Sequence, residues 1–161
     1  MPAEHPLTAF SPYLASRHRV LLTIAAEIHD HLDAATRPRA SDLMWLWTLG
    51  AYELIRTICQ AHACFAPRFH RAAADLRIDL ERVRLATSKL EYVKYDRRDR
   101  SVPIPSDREP DLWDAPRKDL LVGDPANPAS ARRLLAEYVH IMRSLTRDEV
   151  LMRHEDSYPS R

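Results

Sequence analysis

The strongest constraint on this chain is a run of helix-forming residues, 43–65, that is apolar around most of its circumference. At 100° per residue, a helix over this run carries apolar side chains on two neighbouring faces, which is more than one buried stripe. These side chains belong to Leu43, Trp47, Gly50, Leu54, Ile58, Ala61 and Phe65 on one face and to Met44, Ala51, Ile55 and Cys59 on the next. Such a helix lies at the centre of a bundle or inside a subunit interface.

A second helix is predicted before the central one. Ser11-Pro12 is a good helix start, because serine caps the first turn and proline is accepted there. The helix should end near Arg37-Pro38, since proline disfavours the helical conformation in the residue before it. Ser41-Asp42 is then predicted to cap the central helix. Apolar residues recur at helical spacing at Leu14, Leu21, Ile24, Ala25, Ile28 and Leu32.

Two more helices follow. One restarts at Ala66-Pro67 and carries an apolar stripe as far as Leu90, with a break near Ile78-Asp79 left open. The last begins at Asn127-Pro128. Its inner face is predicted to comprise Leu134, Tyr138, Ile141, Met142, Leu145 and Met152.

Between the last two helices the chain changes character. Half of its 12 prolines fall within residues 97–128, so no continuous helix is expected there. A connection of roughly thirty residues is long for a bundle, and we predict a Pro-rich arm over 99–128, anchored by Trp113 and by residues 120–122. Residues 1–161 are thus predicted to form one all-α domain. It is a four-helix bundle, or a five-helix one, with a long Pro-rich connection before the last helix.

Composition excludes several classes of function. Two glycines cannot build a Rossmann turn or a phosphate-binding loop, so nucleotide binding through those motifs is ruled out and no cofactor is expected. A net charge of +1 offers no large uniform field for nucleic acid or an anionic membrane, although a local basic patch would still permit RNA binding.

Location is also constrained by sequence. Residues 1–10 do not read as a signal peptide, and the longest apolar run contains Glu53 and is too short to span a membrane. Cys59 and Cys64 point away from each other on a helix, which indicates reduced thiols. Arginine greatly outnumbers lysine and alanine is abundant, as in GC-rich bacteria. We expect a bacterial cytoplasmic protein.

The main functional prediction concerns the polar sector of the central helix. Glu53, Arg56 and Gln60 form this sector, and Trp45 and Leu49 project toward it. Tyr52 lies nearby, and tryptophan, tyrosine and arginine are the residue types that most often carry binding energy at interfaces. An exposed apolar patch with a polar spot is typical of self-association or partner binding. We therefore predict a regulatory or protein-interaction domain without enzymatic activity, homodimeric through these six residues.

One alternative is a helical ribonuclease or nucleic-acid-binding domain of the HEPN type. Such proteins carry an arginine and, a few residues on, a histidine, which would hold the phosphate and move protons. Arg56 and His62 have this spacing. Three pairs in the chain match, and a chain with eight histidines and this many arginines produces about three by chance, so the spacing alone carries no weight.

The second alternative is a metal-binding bundle. Carboxylate bundles use Glu-x-x-His pairs together with further glutamates. Glu137 and His140 have that spacing, and Glu27 and His31 offer a second pair. His140 projects away from the apolar face of its helix, whereas a metal site inside a bundle needs inward ligands. The main hypothesis therefore includes no metal site, and the metal-binding bundle is kept only as an alternative.

Overall fold

The computed structural model describes residues 4–89, 91–95, 101–105, 109 and 111–157. A one-turn helix, α1 (Leu7–Phe10), precedes α2 (Pro12–Asp33), α3 (Arg37–Gln60) and α4 (Pro67–Ser88), and α5 (Ala131–Ser144) follows after a small sheet. Short 3-10 turns lie at His62–Cys64, Arg147–Glu149 and Glu155–Ser157. The prediction of a predominantly helical bundle is confirmed. None of the described helices is long and apolar enough to cross a membrane.

The central position predicted for residues 43–65 is confirmed for α3. This helix packs between α2 and α4, and the side chains of Trp47, Ile55 and Ile58 are fully buried. Gly50 allows α2 to come close, because a Cβ atom at this position would lie 2.9 Å from Cδ2 of Leu21. The core is therefore built around α3.

Only one end of α2 was placed correctly. Ser11 caps the helix, its hydroxyl accepting a hydrogen bond from the Leu14 N–H at 3.2 Å, as predicted. The helix ends at Asp33, and Arg37-Pro38 opens α3 instead of closing α2. Proline fits the first turn of a helix as well as it stops the preceding one, and the sequence pattern does not distinguish the two. The predicted cap at Ser41-Asp42 is wrong, since both residues lie inside α3.

At its other end α3 stops at Gln60, short of the predicted residue 65. Phe65 is extended and forms an isolated antiparallel bridge with Val150. Beside it, the Cys64 carbonyl accepts from the Leu151 N–H at 2.9 Å, and the Ala66 N–H donates to the Glu149 carbonyl at 2.9 Å. Pairing with a distant segment thus replaces the helical hydrogen bonds that the apolar pattern suggests.

The same C-terminal segment holds α1 in place. Leu7 and Phe10 are buried, and the Phe10 carbonyl accepts from the His154 N–H at 3.0 Å. His5 donates through Nε2 to the Met142 carbonyl at 3.1 Å. Segments far apart in sequence therefore close the bundle together.

The last two helices match their predictions in part. α4 is continuous through Ile78-Asp79 and ends at Ser88, while Leu90 lies outside the described residues. α5 begins at Ala131 with Ser130 as its cap, not at Asn127-Pro128. Its predicted inner face is buried as far as Leu145. Met152 is wrongly assigned to that face, because it lies beyond the helix and is exposed.

The segment predicted as an arm contains strands. β1 (Glu91–Tyr95) pairs antiparallel with β2 (Ser101–Pro105), and β3 (Asp111–Asp114), β4 (Asp119–Val122) and β5 (Ala129–Ser130) form an antiparallel sheet in that order. The prediction of a loop over 99–128 is therefore wrong where β2, β3 and β4 lie; residues 99–100, 106–108 and 110 are outside the described part.

Proline does not prevent β2 from forming. Pro103 and Pro105 occupy alternate positions of β2. Among the described strands β2 pairs only with β1, so the missing N–H groups of the two prolines need not interrupt the ladder. Two of the three anchors predicted within β4 are confirmed, since Leu120 and Val122 are buried in the core, whereas Leu121 is only partly buried. Trp113 on β3 is partly buried and packs against the same core.

Two buried carboxylates attach the three-stranded sheet to the helices. Asp111 on β3 accepts a hydrogen bond from the Ser41 hydroxyl of α3 and lies 3.5 Å from the Arg37 guanidinium. Asp119 on β4 accepts from the Ser130 hydroxyl at 2.5 Å and from the Arg132 N–H at 3.2 Å. Both carboxylates are more than nine-tenths buried.

Candidate interaction face

One side of α3 is left open between α2 and α4. We call it the open face and define it by the side chains that share this side of the helix: Asp42, Trp45, Leu46, Leu49, Glu53, Arg56 and Gln60. Trp45 and Leu46 are 46% and 49% exposed, and Leu49 is half-buried. The N-terminal half of the open face is thus apolar, and its C-terminal half is polar.

Trp45 is fixed at the border of the open face with α4. Its indole N–H donates to the Ser88 hydroxyl at 3.1 Å, which holds the ring in one orientation. A large aromatic side chain that is exposed and already oriented loses little conformational entropy when a partner covers it.

Tyr52 belongs to a different environment from the other five residues of the predicted interface. It is buried, its hydroxyl donates to Oε1 of Glu81 at 3.5 Å, and the Arg84 guanidinium lies 4.4 Å from the centre of its ring. These contacts place Tyr52 in the interface between α3 and α4. Its angular position on α3 is not enough to reveal this, because the covering residues come from α4.

Glu53 and Arg56 pair with each other on the open face. The Arg56 guanidinium donates to one Glu53 oxygen from Nη2 at 2.7 Å and from Nε at 3.0 Å. The pair is half-exposed, so its own contribution to stability is small. The pairing with Glu53 still orients the Arg56 side chain along the helix, and its charge remains accessible to solvent.

The structure places the two residues of the ribonuclease alternative in different settings. Arg56 lies on α3 against Glu53, whereas His62 lies in the 3-10 turn after the helix. The ring of His62 is 6.2 Å from that of His70, whose Nε2 is hydrogen-bonded to the Cys59 carbonyl.

The described part of the chain contains no cluster of side chains that would support the metal-binding alternative. There, no group of three or more histidine, cysteine, aspartate or glutamate side chains could hold an ion. Glu27 and His140 are exposed, and His31 and Glu137 are half-buried on α2 and α5 respectively.

A buried polar cluster that was not predicted from the sequence lies between α2 and α5. His18 Nδ1 lies 2.9 Å from the Tyr138 hydroxyl, and the His5 ring lies 4.6 Å from that of His18. Burial is the main cause that lowers the pKa of His18 to about 4, and it raises the pKa of Tyr138 well above its usual range. His18 was detectable in the sequence, because it falls at the helical spacing between Leu14 and Leu21 that marks the inner face of α2.

The cluster is structural in its chemistry. Trp47 packs edge-on against Tyr138 with 5.4 Å between the ring centres, and both rings are fully buried. A histidine held neutral in such surroundings is inaccessible to a substrate. We therefore assign the cluster to the core and keep the open face of α3 as the candidate site.

Comparisons with models of protein families, with curated proteins and with solved structures found no match for this chain.

Proposed function

We propose that this protein is a homodimeric interaction protein whose two copies join through the open face of α3. The observation that supports this proposal is the exposure of Trp45, Leu46 and Leu49 together on a helix whose other sides α2 and α4 cover. Apolar side chains grouped in this way are typical of association surfaces.

A second copy is favoured as the partner because the open face is self-complementary. When two α3 helices pack antiparallel about Leu49, residues seven positions on either side of it meet, because both lie two turns from the centre. Asp42 of one copy then faces Arg56 of the other, and this occurs twice in a symmetric pair. Trp45 of each copy lies close to the Glu53–Arg56 pair of the other, where the guanidinium can stack on the indole.

The proposed role is regulatory, with no catalytic step assigned to the chain. Arg56 then serves the interface and not a phosphate, and Gln60 lies at the polar rim of the contact. We place the dimer in a bacterial cytoplasm, a setting with which the two free cysteines agree.

The first test is the mass of the protein in solution, measured by sedimentation equilibrium at concentrations from about 1 to 100 μM, the range of a moderately stable dimer. We expect a dimer for the wild type and a monomer for Leu49→Arg, with the helical circular dichroism of both unchanged. Tyr13→Arg is the matched control, because Tyr13 is a large exposed residue on α2 and its variant should stay dimeric. A wild type that is monomeric throughout, or a Leu49→Arg variant that stays dimeric, contradicts the proposal.

A charge swap tests the antiparallel arrangement. Asp42→Arg and Arg56→Asp should each weaken the dimer by about tenfold, since each places like charges opposite one another. The double variant restores opposite charges and should recover most of the affinity. If the two single effects simply add in the double variant, the two residues do not meet and the antiparallel register is wrong.

A further inference from the structure

A cleft of about 360 Å³ lies between α4, the start of α5 and the end of β4. It uses no residue of the open face of α3. Its size falls within the range of pockets that hold small organic molecules. The left-handed turn at Gly123, whose φ is +94°, brings the chain after β4 across one end of the cleft.

The floor of the cleft is apolar. It is formed by Val83 of α4, Val122 of β4 and Leu134 of α5. These three side chains belong to the core and are nearly fully buried. Branched aliphatic side chains on three different elements give a rigid surface that suits an aliphatic group of matching shape.

The walls of the cleft carry charges of both signs. Asp79 and Arg82 face it from α4, where they pair at 3.7 Å. Arg133 and Glu137 face it from α5, one turn apart. Within the part of the chain that the structure describes, the side chains of these last two residues make no hydrogen bond or ion pair. The cleft therefore offers a free guanidinium and a free carboxylate above an apolar floor.

The start of α5 does not itself provide the anion site. Its N–H groups at Arg132 and Arg133 already donate to Asp119 and to the Ser130 hydroxyl. An anionic group in the cleft would instead be held by the Arg133 guanidinium, with the positive end of the helix dipole as a weaker aid.

We infer that this cleft binds a free α-amino acid with an aliphatic side chain. The carboxylate of the ligand pairs with Arg133, its ammonium group pairs with Glu137, and its side chain rests on Val83, Val122 and Leu134. Both charged ends and the apolar part of the ligand thereby find a partner on a separate wall of the same cleft.

The mixed charges favour a zwitterion over a simple anion or cation. An anion gains Arg133 but leaves Glu137 facing it, and a cation gains Glu137 but leaves Arg133 facing it, so each brings a repulsive contact. Only a ligand with both charges satisfies both side chains at once.

Isothermal titration calorimetry on the full chain tests the assignment, with L-leucine, L-isoleucine and L-valine as probes. We expect saturable binding of at least one of the three. Leucinamide lacks the negative charge and N-acetyl-leucine lacks the positive charge, so each should bind about tenfold more weakly than leucine. Absence of saturable binding by all three amino acids, or binding of either blocked derivative as tightly as leucine, overturns the assignment.

Two variants locate the binding. Arg133→Gln and Glu137→Gln should each weaken binding of the amino acid by about tenfold or more. Arg133→Gln should not weaken binding of leucinamide, because that ligand has no carboxylate for Arg133 to hold and its positive charge is repelled by Arg133. Arg143→Gln, at an exposed position on the same helix, is the matched control and should bind as the wild type does. Equal losses in Arg143→Gln and Arg133→Gln contradict a site in this cleft.

Discussion

Different interactions hold together the helical layer of α2, α3 and α4 and fix the three-stranded sheet to it. The helices meet through fully buried apolar side chains such as Trp47, Ile58 and Leu76, and one buried polar pair, His18 with Tyr138, joins α2 to α5. The sheet contributes few core residues, and it is tied to the helices by the carboxylates of Asp111 and Asp119.

This difference shows how a short sheet is kept on a bundle. Two-residue and four-residue strands bury too little apolar area to offset the conformational entropy that is lost on ordering them. Buried carboxylates that accept several hydrogen bonds fix the geometry instead, at the cost of their own desolvation. Damage to the core should therefore destabilise the whole bundle, whereas damage to a carboxylate should act first on the sheet.

The largest expected effect is that of Trp47→Ala. Removing a fully buried indole should lower the free energy of unfolding by about 3–5 kcal/mol, because the cavity cannot close completely. Urea denaturation measures this loss, and Tyr13→Ala, at a largely exposed aromatic, should cost far less. Similar losses in the two variants would show that α3 is not central to stability.

Acid should weaken the helical layer through His18. Its pKa is lowered to about 4 in the folded state, against about 6.5 when the chain is unfolded, so the unfolded state binds more protons between these values. The contribution of neutral His18 to the free energy of unfolding is therefore fully present above about pH 6.5. It should fall by about 3 kcal/mol on acidification to pH 4. His5, whose pKa burial also lowers, acts in the same direction.

Denaturation of His18→Gln at pH 7 and pH 4 isolates this effect. The variant should lose most of the dependence on pH between these values, since it has no proton to take up on unfolding. His140→Gln, at an exposed histidine of α5, should keep the dependence of the wild type. If the free energy of unfolding of His18→Gln changes with pH as much as that of the wild type, His18 is not the source of the pH dependence.

Asp119→Asn should act on the sheet. The amide loses the charge that the Ser130 hydroxyl and the Arg132 N–H stabilise, and we expect a loss of about 2 kcal/mol. Hydrogen exchange should show faster exchange in β4, β5 and the first turn of α5, with α3 still protected. Asp30→Asn, at an exposed carboxylate of α2, is the control. Uniformly faster exchange through α3 and α4 would mean that the sheet and the helices unfold as one unit.

The smallest expected effect is a gain in stability from Ala35→Gly. Ala35 has φ of +56° in the turn between α2 and α3, a conformation that glycine adopts without strain. We expect stabilisation of about 0.5 kcal/mol, after the greater entropy of glycine in the unfolded chain is subtracted. Ala34→Gly, next to it at φ of −77°, should destabilise. A loss of stability in Ala35→Gly would show that its turn carries no strain.

The helices could be predicted from sequence because their signals are local. The apolar spacing of residues 43–65 reveals a central helix, and the cap at Ser11 follows from the residue types alone. The strands could not be predicted, since β3 and β4 are four residues long and begin with an aspartate whose role depends on Ser41 or Ser130 elsewhere in the chain.

The candidate site shows the same division. The angular position of Trp45 and Arg56 on α3 predicts that they share one side of the helix. It does not predict that Tyr52 is covered, because that depends on where α4 places Glu81 and Arg84. The cleft could not be predicted from the pattern of one helix either. Its walls belong to α4 and α5, and all the strands lie between these two helices in the sequence.

The contact between α1 and the segment after α5 has a consequence for how the protein is made. His5 meets the Met142 carbonyl across 137 positions of chain, and Phe10 meets His154. His5 and Phe10 are synthesised long before Met142 and His154. Phe10 can pack on Phe65 earlier, but α1 reaches its final set of contacts only after residue 154 has been synthesised, so the fold is completed late.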